Sequence, residues 1–251
     1  MTMSHSFART ELLIGKQGLS ALAGCKVAVF GIGGVGSFAA EALARSGIGS
    51  LTLIDFDRVD VTNINRQLHA LLSTVGMYKV DVMAARIGEI NPRCRVTARR
   101  EYFQPELEEE FLDESFDYVI DAIDSVRSKV GLIRACIVRG IPIISVMGAA
   151  RKLDPTAFRV ADISETYNDP LARVVRRGLR ELGITRGVKV VFSPELPPQP
   201  PEGDDGDQAA GVPGRKPPGS IAFVPPVAGL IAAGVVVRDL LERSSALEDK
   251  Q

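Results

Sequence analysis

The feature that most constrains this 251-residue chain is a glycine-rich turn between a short apolar run and a helical segment. The apolar run covers residues 27–31, and the turn has the sequence GIGGVG over residues 31–36. After a strand and at the start of a helix, GxGxxG spacing lets the backbone turn tightly and leaves free N–H groups at the positive end of the helix. The turn therefore predicts a phosphate-binding loop or, without a ligand, only a tight strand-to-helix connection. Its glycines are Gly31, Gly33, Gly34 and Gly36.

The rest of the chain continues the alternation of short apolar runs and helical segments. Further strands are predicted over 50–55, 94–99, 117–121, 141–146, 157–163, 188–193 and 220–224. Helices are predicted over 34–46, 78–91, 105–113, 125–139, 170–182 and 226–242. This alternation is typical of βαβ units. It predicts an α/β fold, a Rossmann-like, doubly wound, mostly parallel mixed sheet with helices on both faces.

The length suits a single domain over residues 1–251. Residues 193–220 hold eight of the 15 prolines together with several glycines and aspartates, so this stretch is predicted to be a mobile loop within the domain.

Composition excludes several classes of protein. The 30 Lys and Arg nearly balance the 31 Asp and Glu, so no whole-protein field marks a nucleic-acid or membrane binder. The three cysteines are unpaired in sequence, which argues against a disulfide framework and a Cys-rich zinc site. No secretory signal is recognisable, and the apolar stretch 224–237 is shorter than a membrane span. We expect a cytoplasmic protein with no membrane partner.

The residues after the second predicted strand distinguish between nucleotides. Asp55 ends that strand, where a carboxylate can bind ribose hydroxyls in an NAD enzyme or an ATP enzyme alike. A polar loop with Asn63, Arg66 and Gln67 follows, and Lys79 opens the next helix. A nicotinamide needs an apolar slot, whereas a triphosphate needs converging cations, so these residues favour ATP.

A second acidic position follows the fourth predicted strand. Asp124 lies at the carboxyl end of that strand, where Mg²⁺ carried on a triphosphate takes one or two carboxylate oxygens. Asp124 is therefore the candidate metal ligand. The alternative is that Asp124 or Asp121 only caps the next helix.

Together these motifs resemble the ATP-dependent adenylyltransferases related to ubiquitin-activating enzymes, of the ThiF and MoeB type. The glycine loop, the segment DxDxVxxxNxNRQ over 55–67, Lys79 and the DxxDS end of the fourth strand carry the resemblance. It implies that the glycine loop holds a triphosphate, that Asp55 binds ribose, and that Asp124 holds Mg²⁺. The other nucleotide-binding residues that it implies are Asp57, Asn63, Arg66, Gln67 and Lys79. It also implies a homodimer in which Arg9 reaches the γ-phosphate bound to the other subunit.

Within that superfamily, the chain resembles the tRNA threonylcarbamoyladenosine dehydratases almost end to end. The stretches that carry this resemblance are NRQLHAL over 65–71, DAIDS over 121–125, MGAA over 147–150, DPT over 154–156, ADI over 161–163, DPL over 169–171 and VFSPE over 191–195. The resemblance implies ATP-dependent cyclisation of N6-threonylcarbamoyladenosine at tRNA position 37, through adenylation of its carboxylate. Arg9, Arg66, Lys79 and Asp124 are the implied catalytic residues. An alkali ion beside the nucleotide and a sulfur-relay partner stay open.

A non-catalytic nucleotide-binding partner protein is disfavoured because every charged position of the ATP set is filled. Two other functions compete with the dehydratase. The first is an adenylyltransferase that activates the C-terminal glycine of a ubiquitin-like sulfur carrier. It is disfavoured because the chain has no CxxC pair and no cysteine beyond Ile141. The second, from a different class, is an NAD-dependent oxidoreductase.

Charge layout gives separate support for a tRNA partner. The helix predicted over 170–182 places four arginines on one stripe and apolar residues on another. The arginines are Arg173, Arg176, Arg177 and Arg180, and the apolar residues are Leu171, Val174, Val175, Leu179 and Leu182. The basic stripe predicts contacts with tRNA phosphates or, alternatively, only a solvated face.

Overall fold

A computed structural model of the protein describes residues 5–112, 115–196 and 218–248. The predicted α/β fold is confirmed. The strands are β1 Lys26–Phe30, β2 Ser50–Ile54, β3 Arg95–Arg99, β4 Tyr118–Asp121, β5 Ile143–Val146, β6 Arg159–Asp162 and β7 Lys189–Phe192. The helices are α1 Ala8–Gly24, α2 Gly36–Arg45, α3 Lys79–Ile90, α4 Glu108–Phe111, α5 Val126–Arg139, α6 Pro170–Glu181 and α7 Val224–Glu248.

The strands form one seven-stranded sheet in the order β3-β2-β1-β4-β5-β7-β6. All neighbouring pairs are parallel except β6 and β7, so the sheet is mixed and mostly parallel, as predicted. In this register, Phe30 of β1 aligns with both Ile54 of β2 and Asp121 of β4. The carboxyl ends of these three strands therefore meet at one edge of the sheet.

Each face of the sheet has its own apolar core. Successive strand residues point to opposite faces, so Val29 and Ile120 belong to one core while Ala28 and Val119 belong to the other. Buried residues of α2, α3 and α7 cover the first face, and those of α5 and α6 cover the second. Two covered faces are what a doubly wound parallel sheet requires.

The helix α1 was not predicted. It is interrupted at Gly15, which has a φ of 75°, and its Leu12 and Leu13 are 89% and 85% exposed. An interrupted helix with leucines on its outer side has little of the apolar periodicity that marks an amphipathic helix, which is why the sequence pattern did not indicate it.

The prediction of a strand over 220–224 is wrong. Residues 218–221 have no regular structure, and α7 begins at Val224. The main chain there bonds to two loops and not to a neighbouring strand. The Arg151 N–H donates to the Gly219 carbonyl, and the Asn65 side chain donates to the Ser220 carbonyl. Pro225 and Pro226 lie in the first turn of α7, where a missing N–H costs no hydrogen bond.

Two other predicted segments differ in part from the structure. The helix predicted over 105–113 is a 3₁₀ turn, Pro105–Leu107, followed by the single turn of α4, and residue 113 lies outside the described residues. Residues 197–217 of the predicted 193–220 loop also lie outside them. The flanks of that loop, 193–196 and 218–220, lack regular secondary structure.

By length and composition alone, α7 could cross a membrane over Val224–Ser245. More than half of its most apolar window is buried inside the protein, against α2, α1 and the sheet. A core helix passes the same test of length and hydropathy, and this packing is that of a core helix.

Candidate nucleotide-binding site

The glycine turn between β1 and α2 is so tight that two of its residues have to be glycine. Gly31 has a φ of 86°, and a Cβ there would lie 2.6 Å from the Ala122 carbonyl oxygen. A Cβ at Gly36 would lie 1.8 Å from the Gly31 carbonyl oxygen. Both contacts are with backbone atoms that cannot move aside, so any larger side chain would disrupt the turn.

Gly33 is different, because its Cβ position is open. The nearest atom to a Cβ at Gly33 would be Gln67 Nε2, 3.8 Å away. The N–H groups of residues 33–36 have no hydrogen-bond partner among the described residues. Free N–H groups at a helix N-terminus, beside a backbone that can be closely approached, form a binding site for an anion such as phosphate.

Asp55 joins the end of β2 to this turn. Its Oδ2 accepts from the Ile32 N–H at 2.6 Å, and its Oδ1 accepts from the Asp57 N–H at 2.8 Å. Burial raises the pKa of Asp55, and the nearby Lys79 ammonium partly offsets that rise. Asp55 therefore shapes the glycine turn, a structural role that the sequence did not indicate.

Lys79 lies almost buried at the start of α3. Its Nζ donates to Asp57 Oδ2 at 2.6 Å, and that carboxylate is about half exposed. Asp57 therefore contacts the ammonium directly and partly neutralises its charge. A triphosphate that binds at the turn can share or replace this partner.

The loop after β2 brings the other predicted residues to the turn. The Arg66 Cγ would lie 3.3 Å from a Cβ at Gly34, and Arg66 Nη1 donates to the Thr62 carbonyl and to Asn65 Oδ1 at 2.9 Å each. The Asn63 side-chain oxygen accepts from the Asp60 N–H, which leaves its amide group available. Arg66 and Gln67 thus lie against the glycine turn.

Two buried side chains in this loop have polar atoms without partners. Gln67 Oε1 and both ring nitrogens of His69 make no hydrogen bond among the described residues. Gln67 is 7% exposed and His69 is 2% exposed. Buried polar atoms are nearly always paired, so unpaired ones beside an anion site indicate that a ligand or ordered water completes them.

The burial of His69 has a consequence for how the free energy of unfolding depends on pH. Burial, and to a lesser degree the charge of Lys79, lowers the pKa of His69 to about 4. An unfolded histidine titrates near 6.5, so the folded state binds this proton less tightly, and stability present above pH 6.5 is lost as the pH falls toward 4. At pH 5 the loss is about 2 kcal/mol.

Urea unfolding at pH 7.5 and pH 5 measures this loss. His69→Leu is expected to remove about 2 kcal/mol of the pH-dependent decrease. His5→Gln, at the other histidine of the chain, which is exposed, should leave the decrease unchanged. An equal pH dependence in His69→Leu and the wild type would show that His69 is not held neutral by the fold.

Asp124 follows β4 at the same edge of the sheet. It is exposed and has no hydrogen bond or ion pair among the described residues, and α5 is preceded by Ser125 rather than capped by the Asp124 side chain. The alternative that Asp124 only caps the helix is therefore wrong. Asp121 does not cap it either, since its oxygens bond with Ile123, Lys129 and Ser145.

The donor set at this edge fits Mg²⁺ carried on a nucleotide. No cluster of three or more His, Cys, Asp or Glu that could hold a metal occurs in residues 5–112, 115–196 and 218–248. Asp124 is a single free carboxylate near a site for phosphate oxygens. Mg²⁺ binds in this way, through one or two carboxylates with phosphates and water completing its shell.

The remaining predicted residues lie away from the turn. Arg9 is exposed in the first turn of α1 and makes no hydrogen bond or ion pair with any described residue of this chain. In α6, Arg173, Arg177 and Arg180 are exposed. Arg176 differs from them, because its guanidinium donates to the Thr166 and Ile163 carbonyls and so supports the turn before α6.

The apolar stripe predicted for α6 is wrong at two of its five positions. Val174 and Leu182 are 40% and 49% exposed, whereas Val175 and Leu179 are buried. Ala172 takes part of the buried face. Packed against α5 and one face of the sheet, this short helix buries a narrower stripe than the periodicity alone suggested.

One buried cation near the edge was missed by sequence reasoning. Lys152 is 4% exposed, and its Nζ donates to the Ser193 and Glu195 carbonyls at 2.9 and 3.0 Å. Burial lowers the pKa of Lys152. It ties the segment after β5 to the segment after β7. The sequence signal was a lysine next to an arginine, a pair typical of an exposed loop, so its burial could not be predicted.

This geometry defines a Rossmann-like sheet with an anion site, two cations and a free carboxylate at its carboxyl edge. The sequence matches the ThiF family over residues 7–250. The chain belongs to the ThiF family.

More similar relatives place it within that family. The tRNA threonylcarbamoyladenosine dehydratase of Bacillus subtilis (strain 168) is 55% identical over 244 residues, which cover 96% of this chain and 96% of that protein. A crystal structure of the E. coli tRNA N6-threonylcarbamoyladenosine dehydratase TcdA in complex with ATP is 40% identical, covers 96% of both chains and has a TM-score of 0.86. A structure of the same E. coli protein with AMP has a TM-score of 0.87. The chain belongs with the tRNA threonylcarbamoyladenosine dehydratases, and the resemblance recognised in the sequence is confirmed.

The relatives that represent the competing function match less of the chain. The molybdopterin-synthase adenylyltransferase of Haemophilus influenzae (strain ATCC 51907 / DSM 11121 / KW20 / Rd) is 33% identical over 167 residues, 64% of this chain and 66% of that protein. Such adenylyltransferases are secondary relatives of this chain.

Proposed function

We propose that this protein is an ATP-dependent tRNA threonylcarbamoyladenosine dehydratase. It adenylates the carboxylate of N6-threonylcarbamoyladenosine at tRNA position 37, and the modified base then cyclises. The observation that carries the proposal is the anion site at residues 31–36, with Arg66 and Lys79 beside it, in a chain 55% identical to a dehydratase over nearly its whole length.

The nucleotide half of the reaction follows from the positions of these residues. The free N–H groups of residues 33–36 bind phosphate oxygens, and the Arg66 and Lys79 side chains neutralise the charge that builds up as pyrophosphate leaves. Asp55 binds the ribose, and Asn63 and Gln67 offer amides to the phosphates. Mg²⁺, when bound, would be held by Asp124 and the phosphates and would withdraw charge from the phosphate oxygens.

The substrate half needs no nucleophile from the protein. The threonyl carboxylate attacks the α-phosphorus and displaces pyrophosphate, and the neighbouring carbamoyl nitrogen or oxygen then attacks the activated carbonyl and displaces AMP. Burial raises the pKa of the three thiols, Cys25 and Cys94 to about 11 and Cys136 to about 12, so none of them is a thiolate at neutral pH. This supports intramolecular ring closure over a thioester.

We also propose that the protein acts as a homodimer in the cytoplasm. Leu12 and Leu13 of α1 are 89% and 85% exposed, an unusual cost for large apolar side chains unless a second copy covers them. Arg9 lies in the same helix, so an interface along α1 would bring it toward the γ-phosphate of the other subunit. This arrangement supports Arg9 as a residue that acts in trans.

The direct test is the nucleoside product. Purified protein is incubated with ATP, Mg²⁺ and tRNA that carries threonylcarbamoyladenosine, and the digested nucleosides are analysed by mass. We expect a product lighter by one water and AMP in equal amount. Unmodified tRNA is the control. Conversion without ATP, or AMP formation without a change in nucleoside mass, would contradict the proposal.

We expect the exposed arginines of α6 to contact tRNA phosphates. Replacing Arg173, Arg177 and Arg180 together by Gln should weaken tRNA binding and flatten the slope of log K against log salt by about 2 to 3, near 0.7 to 0.9 per lost contact. The apolar side of α6 is untouched by these changes, so the fold and ATP binding should be preserved.

Arg176→Gln is the matched control on the same helix. It removes hydrogen bonds to Thr166 and Ile163, so we expect a lower melting temperature with an unchanged salt slope. A triple variant with the wild-type salt slope on the same tRNA would mean that these arginines are only solvated.

A further inference from the structure

A fully buried ion pair lies directly beneath the Asp124 turn, and the function proposed above does not use it. Lys129 of α5 and Asp121 of β4 are both 0% exposed, and Lys129 Nζ lies 2.8 Å from Asp121 Oδ2. Lys129 Nζ also donates to Ser145 Oγ at 3.2 Å and to the Val146 carbonyl at 2.9 Å. The Ser145 hydroxyl donates to Asp121 Oδ2 at 2.5 Å. This network connects β4, α5 and β5.

The second carboxylate oxygen of Asp121, Oδ1, contacts the turn that leads to Asp124. Asp121 Oδ1 accepts from the Ile123 N–H at 3.0 Å, one residue before Asp124. A carboxylate that accepts from the N–H two residues along holds the backbone in a fixed local turn. The orientation of Asp121 therefore determines the path of residues 121–124.

The same turn is pressed against the glycine loop on its other side. The Ala122 N–H donates to the Phe30 carbonyl at 2.8 Å, and a Cβ at Gly31 would lie 2.6 Å from the Ala122 carbonyl oxygen. Two sets of contacts thus fix the turn between β4 and α5: the hydrogen bond to Asp121 and the contacts with the glycine loop. Its exposed end is Asp124.

Stability alone does not account for this pair. Removing two charges from water costs several kcal/mol each, and well-packed apolar residues of similar volume are often as stable as a buried ion pair. Lys129 cannot touch a substrate, since it is completely buried. The buried charge of Lys129 is better explained if it orients the turn that leads to Asp124.

We propose that Lys129 is a positioning residue for the nucleotide site. By holding Asp121 against Ser145 and the Ile123 N–H, it keeps the Asp124 carboxylate directed at the metal ion of the bound Mg²⁺–ATP, in register with the glycine loop. This inference rests on the proposed binding of Mg²⁺–ATP at Asp124, and it assigns Lys129 and Ser145 a role in metal affinity.

The test replaces the network without leaving an unpaired charge. Asp121→Leu with Lys129→Met removes both charges at similar volume, so the fold is expected to survive, as checked by circular dichroism and thermal melting. The measured quantity is the free Mg²⁺ concentration that gives half-maximal ATP binding, determined by calorimetry. We expect this concentration to rise at least about tenfold, while nucleotide binding in EDTA changes less than about twofold.

A third variant distinguishes a positioning role of Lys129 from a general loss of structure around the site. In an Asp124→Asn background, the paired replacement should raise the Mg²⁺ requirement no further, because both act through one carboxylate. If the paired variant does not fold, Ser145→Ala replaces it, since it keeps both charges and removes one bond to Asp121. A rise of about two- to threefold is then expected.

Three results would overturn the proposal, and they can be told apart. An unchanged Mg²⁺ requirement in a folded paired variant, or in Ser145→Ala, contradicts positioning. A further rise in the Asp124→Asn background shows that the network acts elsewhere. An Asp124→Asn single change that leaves the Mg²⁺ requirement unaltered overturns the metal role itself, whereas a failed nucleoside assay with these results intact overturns only the proposed reaction.

Discussion

Asp124→Asn is expected to lower turnover by at least about 1000-fold, a loss near 4 kcal/mol of transition-state stabilisation, while the folded state is unchanged. The amide keeps the size of the side chain and removes the charge that would hold Mg²⁺. Asp124 is exposed and makes no hydrogen bond or ion pair with the described residues, so its replacement costs the fold nothing. Turnover is measured from AMP release on modified tRNA, alongside a thermal melt.

Glu109→Gln is the control for this change. Glu109 is an exposed carboxylate of α4, outside the nucleotide site, and its replacement should leave turnover within about twofold. Near-normal turnover in Asp124→Asn would show that Asp124 does not hold the metal.

The second large effect is expected from Gly33→Ala. The fold has room for this methyl group, because the nearest atom to a Cβ would be 3.8 Å away and the φ of Gly33 is not in the left-handed region. A triphosphate bound at the turn must approach this backbone closely, and the methyl group would occupy that space. We expect ATP affinity to fall at least about 100-fold, a loss near 3 kcal/mol, with little change in the melting temperature without ATP.

The ATP-dependent rise in melting temperature measures this loss, because a ligand that binds only the folded state stabilises it by mass action. Gly88→Ala is the matched control: its Cβ position in α3 is also open, and the change should stabilise the protein slightly without affecting ATP. NAD should leave the melting temperature of the wild type unchanged. Unaltered ATP stabilisation in Gly33→Ala would place the triphosphate elsewhere.

Much of the nucleotide site could be predicted because its signals are local. Gly31 and Gly36 lie in the same short turn, where a Cβ at either position would collide with backbone atoms, so their spacing is visible in the sequence itself. Arg66 and Lys79 were singled out because a triphosphate needs converging cations and both residues follow the second strand in the sequence. These signals lie within residues 31–79 and need, beyond the local sequence, only the rule that strand ends meet at one edge of the sheet.

The parts that could not be predicted depend on contacts between distant segments. Lys129 has the sequence pattern of an ordinary surface position in a helix, and only the pairing of β4 with β5 brings Asp121 and Ser145 to it. Residues 220–224 have the composition of a strand, but the main chain at residues 219 and 220 instead accepts hydrogen bonds from Arg151 and Asn65. Such tertiary contacts override local secondary-structure propensity, and they cannot be predicted from it.

The contact between α7 and the glycine loop has a consequence for how the protein is made. A Cβ at Gly229 would lie 2.2 Å from the Val35 carbonyl oxygen, and the Pro225 side chain lies against Gly34, so the final helix packs directly on the start of α2. These partners are about 190 residues apart in the chain. On a ribosome, β1, β2 and the glycine loop emerge long before α7, and the loop lacks its packing partner until then. We therefore expect the glycine loop to reach its final packing only after α7 has been synthesised, so that nucleotide binding develops late in folding.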